Sequence, residues 1–268
     1  MEFLVTHSRI LVFLLSIVIT ACGGKGGDTP TAPSVTAPAI STSNTMIFIG
    51  QAVQFAASGG GTIRWGGDNP QVATVDQTTG RITGVGNGRV TVWAENQGGT
   101  TTRLLRGLPS FAGSWQGSYA ITGCQSTGDM AAIGFCGNFF QGQVLNMQLQ
   151  TSQTEDRVSG GFAFGGNAGS LNASTVAENG VLPLTGTFTS SNGTIQMSNA
   201  RLESPTAGTI TGRFDQTWSV SGASGFGILS CEVRDVTRTA GGPTFGLSAP
   251  AMENLSLEEM IRRVLRKN

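Results

Sequence analysis

The sequence predicts an all-β fold in which a β-sandwich is followed by an eight-stranded up-and-down β-barrel and a short C-terminal helix. Glycine is abundant, with 40 of 268 residues, whereas only 12% of the residues are charged. Apolar and polar residues alternate over short runs such as Val90–Ala94, which is typical of half-buried strands. Turn residues separate these runs, as in Ser190–Gly193. An apolar fraction of 38% is sufficient for such cores, because alternate residues of each strand face water.

The first predicted domain spans residues 40–108 and contains seven or so short strands. Asp68–Pro70 and Thr79–Gly80 are typical turn sequences between them. This number and spacing of strands favours a β-sandwich. The candidate strands are residues 51–56, 63–65, 72–75, 81–83, 90–94 and 100–105.

Four stretches of this domain follow one another in the order of a known family. They are Trp65, Asn69–Asp76, Thr79–Gly84 and Gly88–Val92. Together they resemble the bacterial Ig-like group 2 family, although glycines and an aspartate stand at residues 66–68, where serines are commoner. The resemblance implies an Ig-like sandwich that serves as a spacer or adhesion module in surface proteins and that has no active site.

The second predicted domain spans residues 111–240. Its candidate strands are joined mostly by short connections rich in Gly, Ser or Asn. An antiparallel meander of this kind hides both edge strands when it closes into a barrel. The eight candidate strands are residues 114–122, 143–151, 158–164, 170–176, 181–189, 194–202, 208–220 and 226–237.

The first of these strands opens with Gly113–Trp115, which resembles the G-x-W that opens lipocalin and avidin barrels. The resemblance implies that an arginine of the last strand, Arg234 or Arg238, stacks on Trp115. Eight strands enclose an interior that side chains either fill or line. A filled core and a small apolar pocket both remain open. The predicted inward-facing residues are Trp115, Tyr119, Ile121, Met147 and Leu149.

Residues 1–21 are typical of an export signal, because the apolar run of residues 10–19 is too short to cross a bilayer core of ~30 Å. The sequence Thr-Ala-Cys at residues 20–22 resembles the lipobox of bacterial lipoproteins, which implies that Cys22 carries the lipid anchor. Residues 22–39 are rich in Gly, Pro, Ser and Thr and predict an extended or flexible tether. Glycine, not aspartate, follows the cysteine, and by the same resemblance this favours the outer membrane, facing the periplasm or the cell surface.

Three cysteines remain once Cys22 is assigned to lipid. Export places them in an oxidising compartment, where thiols tend to pair. Cys124 and Cys136 lie in one loop between the first two predicted barrel strands, and closing a short loop costs little entropy, so we expect them to form a disulfide. Cys231 shares the strand parity of Leu229 and is expected to be a buried small apolar side chain. A disulfide between Cys231 and one of the other two is the alternative.

The residue types that most catalytic and metal sites need are scarce. The only histidine, His7, lies in the predicted signal, so no imidazole remains for a catalytic pair or for a histidine-containing zinc site. The carboxylates at residues 155–156, Glu232 and Asp235 form no patterned motif and are interpreted as solvated surface. A net charge of zero without a basic cluster argues against nucleic-acid binding. We therefore expect no catalytic residue, no cofactor and no metal.

Residues 254–267 predict a short amphipathic helix at the end of the chain. Ser256–Glu259 forms a capping box, and basic residues towards the C-terminus match the helix dipole. A helix of three turns is marginal alone, so its apolar stripe packs either on its own domain or on a partner or membrane.

These features predict a non-enzymatic lipoprotein of the bacterial envelope. The Ig-like domain would act as a spacer or adhesion module that displays the barrel for interaction with a protein or a surface glycan. The alternative is a carrier that binds a small apolar ligand inside the barrel.

Overall fold

The structure is a computed structural model, and it describes residues 34–138, 141–164, 167–206 and 208–239. Over these residues the chain is almost entirely β, with two sheets packed as a sandwich and then a closed barrel. The predicted all-β fold is confirmed. The predicted signal (residues 1–21), the lipidation site Cys22 and the C-terminal helix (residues 254–267) lie outside the described residues.

Nine short strands form the sandwich within residues 34–108. They are β1 (Ala39–Ile40), β2 (Met46–Phe48), β3 (Ala52–Gln54), β4 (Ala57–Ser58), β5 (Arg64–Gly67), β6 (Ala73–Val75), β7 (Arg81–Gly84), β8 (Gly88–Asn96) and β9 (Gly99–Leu108). One sheet has the order β2-β9-β8-β5, the other has the order β3-β7-β6, and β1 pairs with β4. The pairing of β2 with β9 is parallel, and the remaining pairs are antiparallel.

Strand alternation builds the core of the sandwich. Along β8, Val90, Val92 and Ala94 are almost completely buried, whereas the side chains between them are partly exposed. Trp65 of β5 contacts Phe55 edge-on, with the ring centroids 6.4 Å apart.

The turn before β7 explains the V-D-x-x-T-G pattern of the sequence. The carboxylate of Asp76 accepts hydrogen bonds from the backbone N–H groups of Thr78 at 3.0 Å and Thr79 at 2.8 Å. Gly80 has a φ of +72°, and a Cβ at this position would lie 2.6 Å from the Trp65 ring. The turn therefore needs an acceptor at its first residue and a residue without a side chain at its last.

Eight strands form the barrel. They are β10 (Gly113–Ser126), β11 (Val144–Thr154), β12 (Arg157–Phe164), β13 (Asn167–Thr175), β14 (Gly186–Ser190), β15 (Gly193–Glu203), β16 (Thr209–Val220) and β17 (Gly227–Thr239). Each strand pairs antiparallel with the next, and β17 pairs with β10 to close the ring. The predicted up-and-down order is confirmed.

Strand β14 is shorter than the predicted strand of residues 181–189. The backbone of Leu182 exchanges two hydrogen bonds with Leu202, at 2.8 and 3.1 Å, which form an isolated bridge to β15, the strand that β14 itself pairs with. Pro183 has no N–H group and cannot extend the ladder. Leu182 and Leu184 are each 1% exposed and belong to the barrel core.

Residues 127–138, here called the capping segment, follow β10. They contain α1 (Gly128–Ala132) and a 3₁₀ turn (Phe135–Gly137), neither of which the sequence pattern predicted. Met130 and Phe135 are fully buried in the barrel core. A disulfide between Cys124 and Cys136 joins the segment to β10, with an S–S distance of 2.03 Å. The sequence predicted this pairing.

Candidate functional site

The barrel interior contains the side chains that the alternation of the sequence predicted to face inward. None of the five is more than 2% exposed. They are Trp115, Tyr119, Ile121, Met147 and Leu149.

Aromatic rings occupy the middle of the barrel. Phe164 and Phe214 are stacked, with centroids 5.0 Å apart and planes 10° apart. The ring of Tyr119 meets both edge-on, at 5.4 and 5.3 Å. This packing favours a filled core over a wide apolar pocket.

One buried polar side chain interrupts this apolar interior. Gln216 is completely buried, and its Oε1 accepts a hydrogen bond from Trp218 Nε1 at 3.1 Å. Among the residues that the structure describes, its Nε2 has no hydrogen-bond partner. A buried donor without a partner costs free energy, so this Nε2 is a hydrogen-bond donor that the interior offers to a guest molecule. Its parity with Phe214 and Trp218 was the sequence signal for its inward position.

Two titratable groups lie beside Gln216. Burial raises the pKa of the Tyr119 hydroxyl far above its ordinary value, and the neighbouring Cys231 adds to this effect, whereas the Gln216 amide opposes it. Burial likewise raises the pKa of the Cys231 thiol, with a contribution from the charge of Asp215. Cys231 is a free, buried cysteine. Because the thiolate is the nucleophile, this thiol is inert.

The capping segment covers one end of the barrel. The ring of Phe135 lies 6.1 Å from that of Trp218, centroid to centroid. Asp129 holds the segment to the loop before β17, because its carboxylate accepts a hydrogen bond from the N–H of Ser224 at 2.6 Å. This bond lowers the pKa of Asp129 below its ordinary value of 3.8.

The linker between sandwich and barrel, residues 109–112, is bonded to the barrel. The N–H of Phe111 donates to Gln153 Oε1 at 2.7 Å, and its carbonyl accepts from Trp115 Nε1 at 2.9 Å and from the Thr151 hydroxyl. The Phe111 side chain is itself 1% exposed. Linkers that allow domains to move independently are exposed and make few contacts, whereas this linker is hydrogen-bonded to the barrel.

Side chains of the sandwich also contact the barrel directly. Leu108, the last residue of β9, is fully buried in the barrel core. Arg106 Nη1 lies 2.9 Å from Asp156 Oδ2, and about a quarter of each side chain is exposed. A second ion pair joins Arg89 to Glu178 at 2.6 Å, with both side chains more than half exposed. Because the Arg106–Asp156 pair is the less exposed of the two, solvent and salt screen its charge attraction less.

The arginine predicted to stack on Trp115 is Arg238. Its guanidinium carbon lies 4.6 Å from the centroid of the indole ring. Arg234, the other candidate, instead pairs with Glu232 at 3.2 Å on the outer surface.

The carboxylates are dispersed. Asp156 pairs with Arg106 of the sandwich, and Glu232 pairs with Arg234 of its own strand. Glu155 and Asp235 have left-handed backbone conformations, with φ of +57° and +52°. The described part of the chain contains no group of three or more side chains suited to holding a metal ion. Within that same part, no helix has the length and apolar character required to cross a membrane.

Comparison with known proteins finds a similarity to intimin. The family model of the intimin immunoglobulin-like domain matches residues 49–96, which supports the bacterial Ig-like character of this region. Among solved structures, an intimin mutant of EHEC O157:H7 matches with 24% identity and a TM-score of 0.22 over 35% of this chain. The match covers 48% of that intimin chain, so this protein spans about half of it. No curated protein matches the chain.

Proposed function

We propose that the chain is a non-enzymatic lipoprotein of the bacterial envelope whose Ig-like sandwich holds the barrel as an adhesion-type interaction module. The junction between the two carries this proposal. The bonded linker, buried Leu108 and the Arg106–Asp156 ion pair give the barrel a fixed orientation on the sandwich. A fixed orientation suits a module that presents another domain to a partner, and the intimin-type match at residues 49–96 supports such a use.

The anchor in this proposal is lipid on Cys22, followed by the tether of residues 22–39. Several acyl chains on one residue hold a protein firmly, since each buried CH₂ contributes about 0.8 kcal/mol. The partner would be a protein or a glycan of a cell surface, and the outer membrane is the proposed location.

Cell fractionation and adhesion together test the proposal. Cells that produce the full chain should carry it in the membrane fraction and should adhere to glycan-coated surfaces more strongly than cells with an empty vector. The Cys22→Ala variant should be released as soluble protein, and adhesion should return to the level of the empty vector. A Cys22→Ala protein that still sediments with membranes would exclude the proposed anchor. Cells with the native chain that adhere no more strongly than cells with an empty vector would exclude the proposed role.

The unpartnered Nε2 of Gln216 favours a second candidate function, in which the barrel carries a small apolar ligand with one hydrogen-bond acceptor. Tyr119 and Gln216 would hold the acceptor, and the surrounding rings would contact the apolar part. Native mass spectrometry of the purified full chain should then show a reproducible added mass, which Gln216→Leu should remove. A bare protein mass in repeated preparations would reject the carrier.

A further inference from the structure

A groove of about 710 Å³ lies on the outer wall of the barrel, next to the segment that precedes β14. Its volume falls within the range of roughly 300–1,000 Å³ that is typical of small-molecule sites. The side chains that matter for its chemistry are Thr122, Asn199, Arg201, Arg213, Asp215 and Ser230.

Two arginines face each other in this groove. Arg201 of β15 and Arg213 of β16 are direct cross-strand partners, and both are exposed. Among the described residues neither side chain has an ion pair or a hydrogen bond. Like charges directly opposite on neighbouring strands are destabilising. An anion between the two guanidinium groups would remove that cost and would bond to both.

Two carboxylates beside the pair have hydrogen-bond partners of their own. Asp215 Oδ2 accepts a hydrogen bond from Asn199 Nδ2 at 2.9 Å. Glu232, the other cross-strand neighbour of Arg213, bonds to Arg234 at 3.2 Å. Glu203 and Glu232 both line an adjoining groove of about 430 Å³ that shares the two arginines.

The backbone at Asn199 sets the position of Arg201. The pairing of β15 with β16 shifts register between Ser198 and Arg201, and Asn199 adopts a φ of +50°. Bulges of this kind re-aim side chains and are common beside binding sites. A left-handed conformation costs free energy in a residue other than glycine, and such positions cluster at functional sites.

We infer that this groove binds a saccharide that carries an anionic group. Arg201 and Arg213 hold the anion. The Ser230 hydroxyl meets the hydroxyls of the sugar, as do the oxygen atoms of the Thr122 and Asn199 side chains, whose donor groups bond to Ser230 and Asp215. The inference rests on the proposed interaction role, because it names the site and the class of ligand through which the barrel would contact its partner. Carboxylate and sulfate both fit the guanidinium pair, so the shared chemistry is an oxyanion on a sugar.

Binding of defined polysaccharides to the purified full chain tests the inference. Fragments of polygalacturonate supply carboxylates, dextran sulfate supplies sulfates, and neutral dextran is the uncharged control. We expect saturable binding of at least one polyanion and none of neutral dextran. Arg201→Gln and Arg213→Gln should each weaken binding about tenfold or more, because each removes a charge-assisted contact.

Arg157→Gln is the matched control. Arg157 is exposed on β12 of the same barrel and does not line the groove, so its loss should leave binding unchanged. Both groove variants should be at least as resistant to urea as the native chain, since each removes a like-charge contact. No binding of either polyanion, equal binding of neutral dextran, or equal loss with Arg157→Gln would overturn the inference. The assay uses purified protein, so a failure of the Cys22 anchor would leave its result unaffected.

Discussion

The guanidinium of Arg238 covers the indole ring of Trp115, and the two residues are direct partners in the pairing that closes the barrel. The same guanidinium donates a hydrogen bond from Nη2 to the carbonyl of Ser110 at 2.9 Å. Trp115 Nε1 donates to the carbonyl of Phe111. One stacked pair therefore joins the first barrel strand to the last and holds two consecutive linker carbonyls.

Replacing Arg238 with alanine should destabilise the barrel by about 1–2 kcal/mol, because it removes the cation–π contact and the hydrogen bond to Ser110. Urea unfolding, followed by tryptophan fluorescence, measures this loss. Arg234→Ala on the same strand is the control, since its exposed ion pair with Glu232 contributes about 0–1 kcal/mol. Equal effects of the two substitutions would mean that stacking on Trp115 contributes nothing particular to stability.

Removing the disulfide should lower stability by about 2–3 kcal/mol, because the Cys124–Cys136 bond restricts the unfolded chain. The Cys124→Ala/Cys136→Ala double variant should also exchange backbone amide hydrogens faster in the capping segment. Cys231→Ala is the matched control, since it removes a cysteine without breaking a disulfide. Peptide mapping without reductant provides an independent check, and a disulfide that contains Cys231 would contradict the assignment.

The parts of the fold that were predictable from sequence depend on local pattern. Alternation placed Tyr119 and Met147 inside the barrel, and the position of Cys124 and Cys136 in one loop indicated their pairing. Stacking on Trp115 followed from a resemblance that implied Arg234 or Arg238. For the inward-facing side chains and the disulfide, the relevant residues share a strand parity or are near in sequence, so the local pattern contains the information.

The remaining features depend on contacts between distant residues. Leu182 forms only an isolated bridge to Leu202, and alternation alone does not show that the ladder is interrupted between this bridge and β14. A five-residue helix such as α1 is too short to show a helical period, so the sequence pattern predicts a loop in place of the capping segment. The opposition of Arg201 and Arg213 depends on a bulge in the register of two strands, which sequence parity does not specify.

Gly80→Ala should destabilise the sandwich by more than about 1 kcal/mol, because the position has positive φ and a Cβ would press against Trp65. Thermal unfolding measured by circular dichroism is the test. Gly60→Ala is the matched control, since its φ is not in the left-handed region and a Cβ there would lie 3.7 Å from Val35, an ordinary contact. A Gly80→Ala protein that unfolds at the native temperature would show that the turn before β7 tolerates another conformation.

Acid should release the capping segment. The hydrogen bond from the Ser224 N–H lowers the pKa of Asp129, so the charged carboxylate stabilises the folded segment above the ordinary value of 3.8. This contribution is lost as the pH falls through the lowered pKa, where the carboxyl becomes protonated in the folded state as well. Asp68 and Asp76 also have pKa values lowered by backbone hydrogen bonds, but they lie in the sandwich, so their titration affects a different domain.

The rate of pepsin cleavage within the capping segment measures this effect. At each pH, the cleavage rate of Asp129→Asn is divided by that of the native chain, so that changes in pepsin activity cancel. At about pH 5 the variant should be cleaved faster, because asparagine lacks the charge that strengthens the bond to Ser224. The ratio should fall towards one as the pH is lowered through the pKa of the native Asp129, because its carboxyl then becomes uncharged as well. Cleavage within the sandwich of the same two proteins is the internal control and should show no such difference. A ratio that stays constant across the titration of Asp129 would mean that the charge of Asp129 does not hold the segment to the loop before β17.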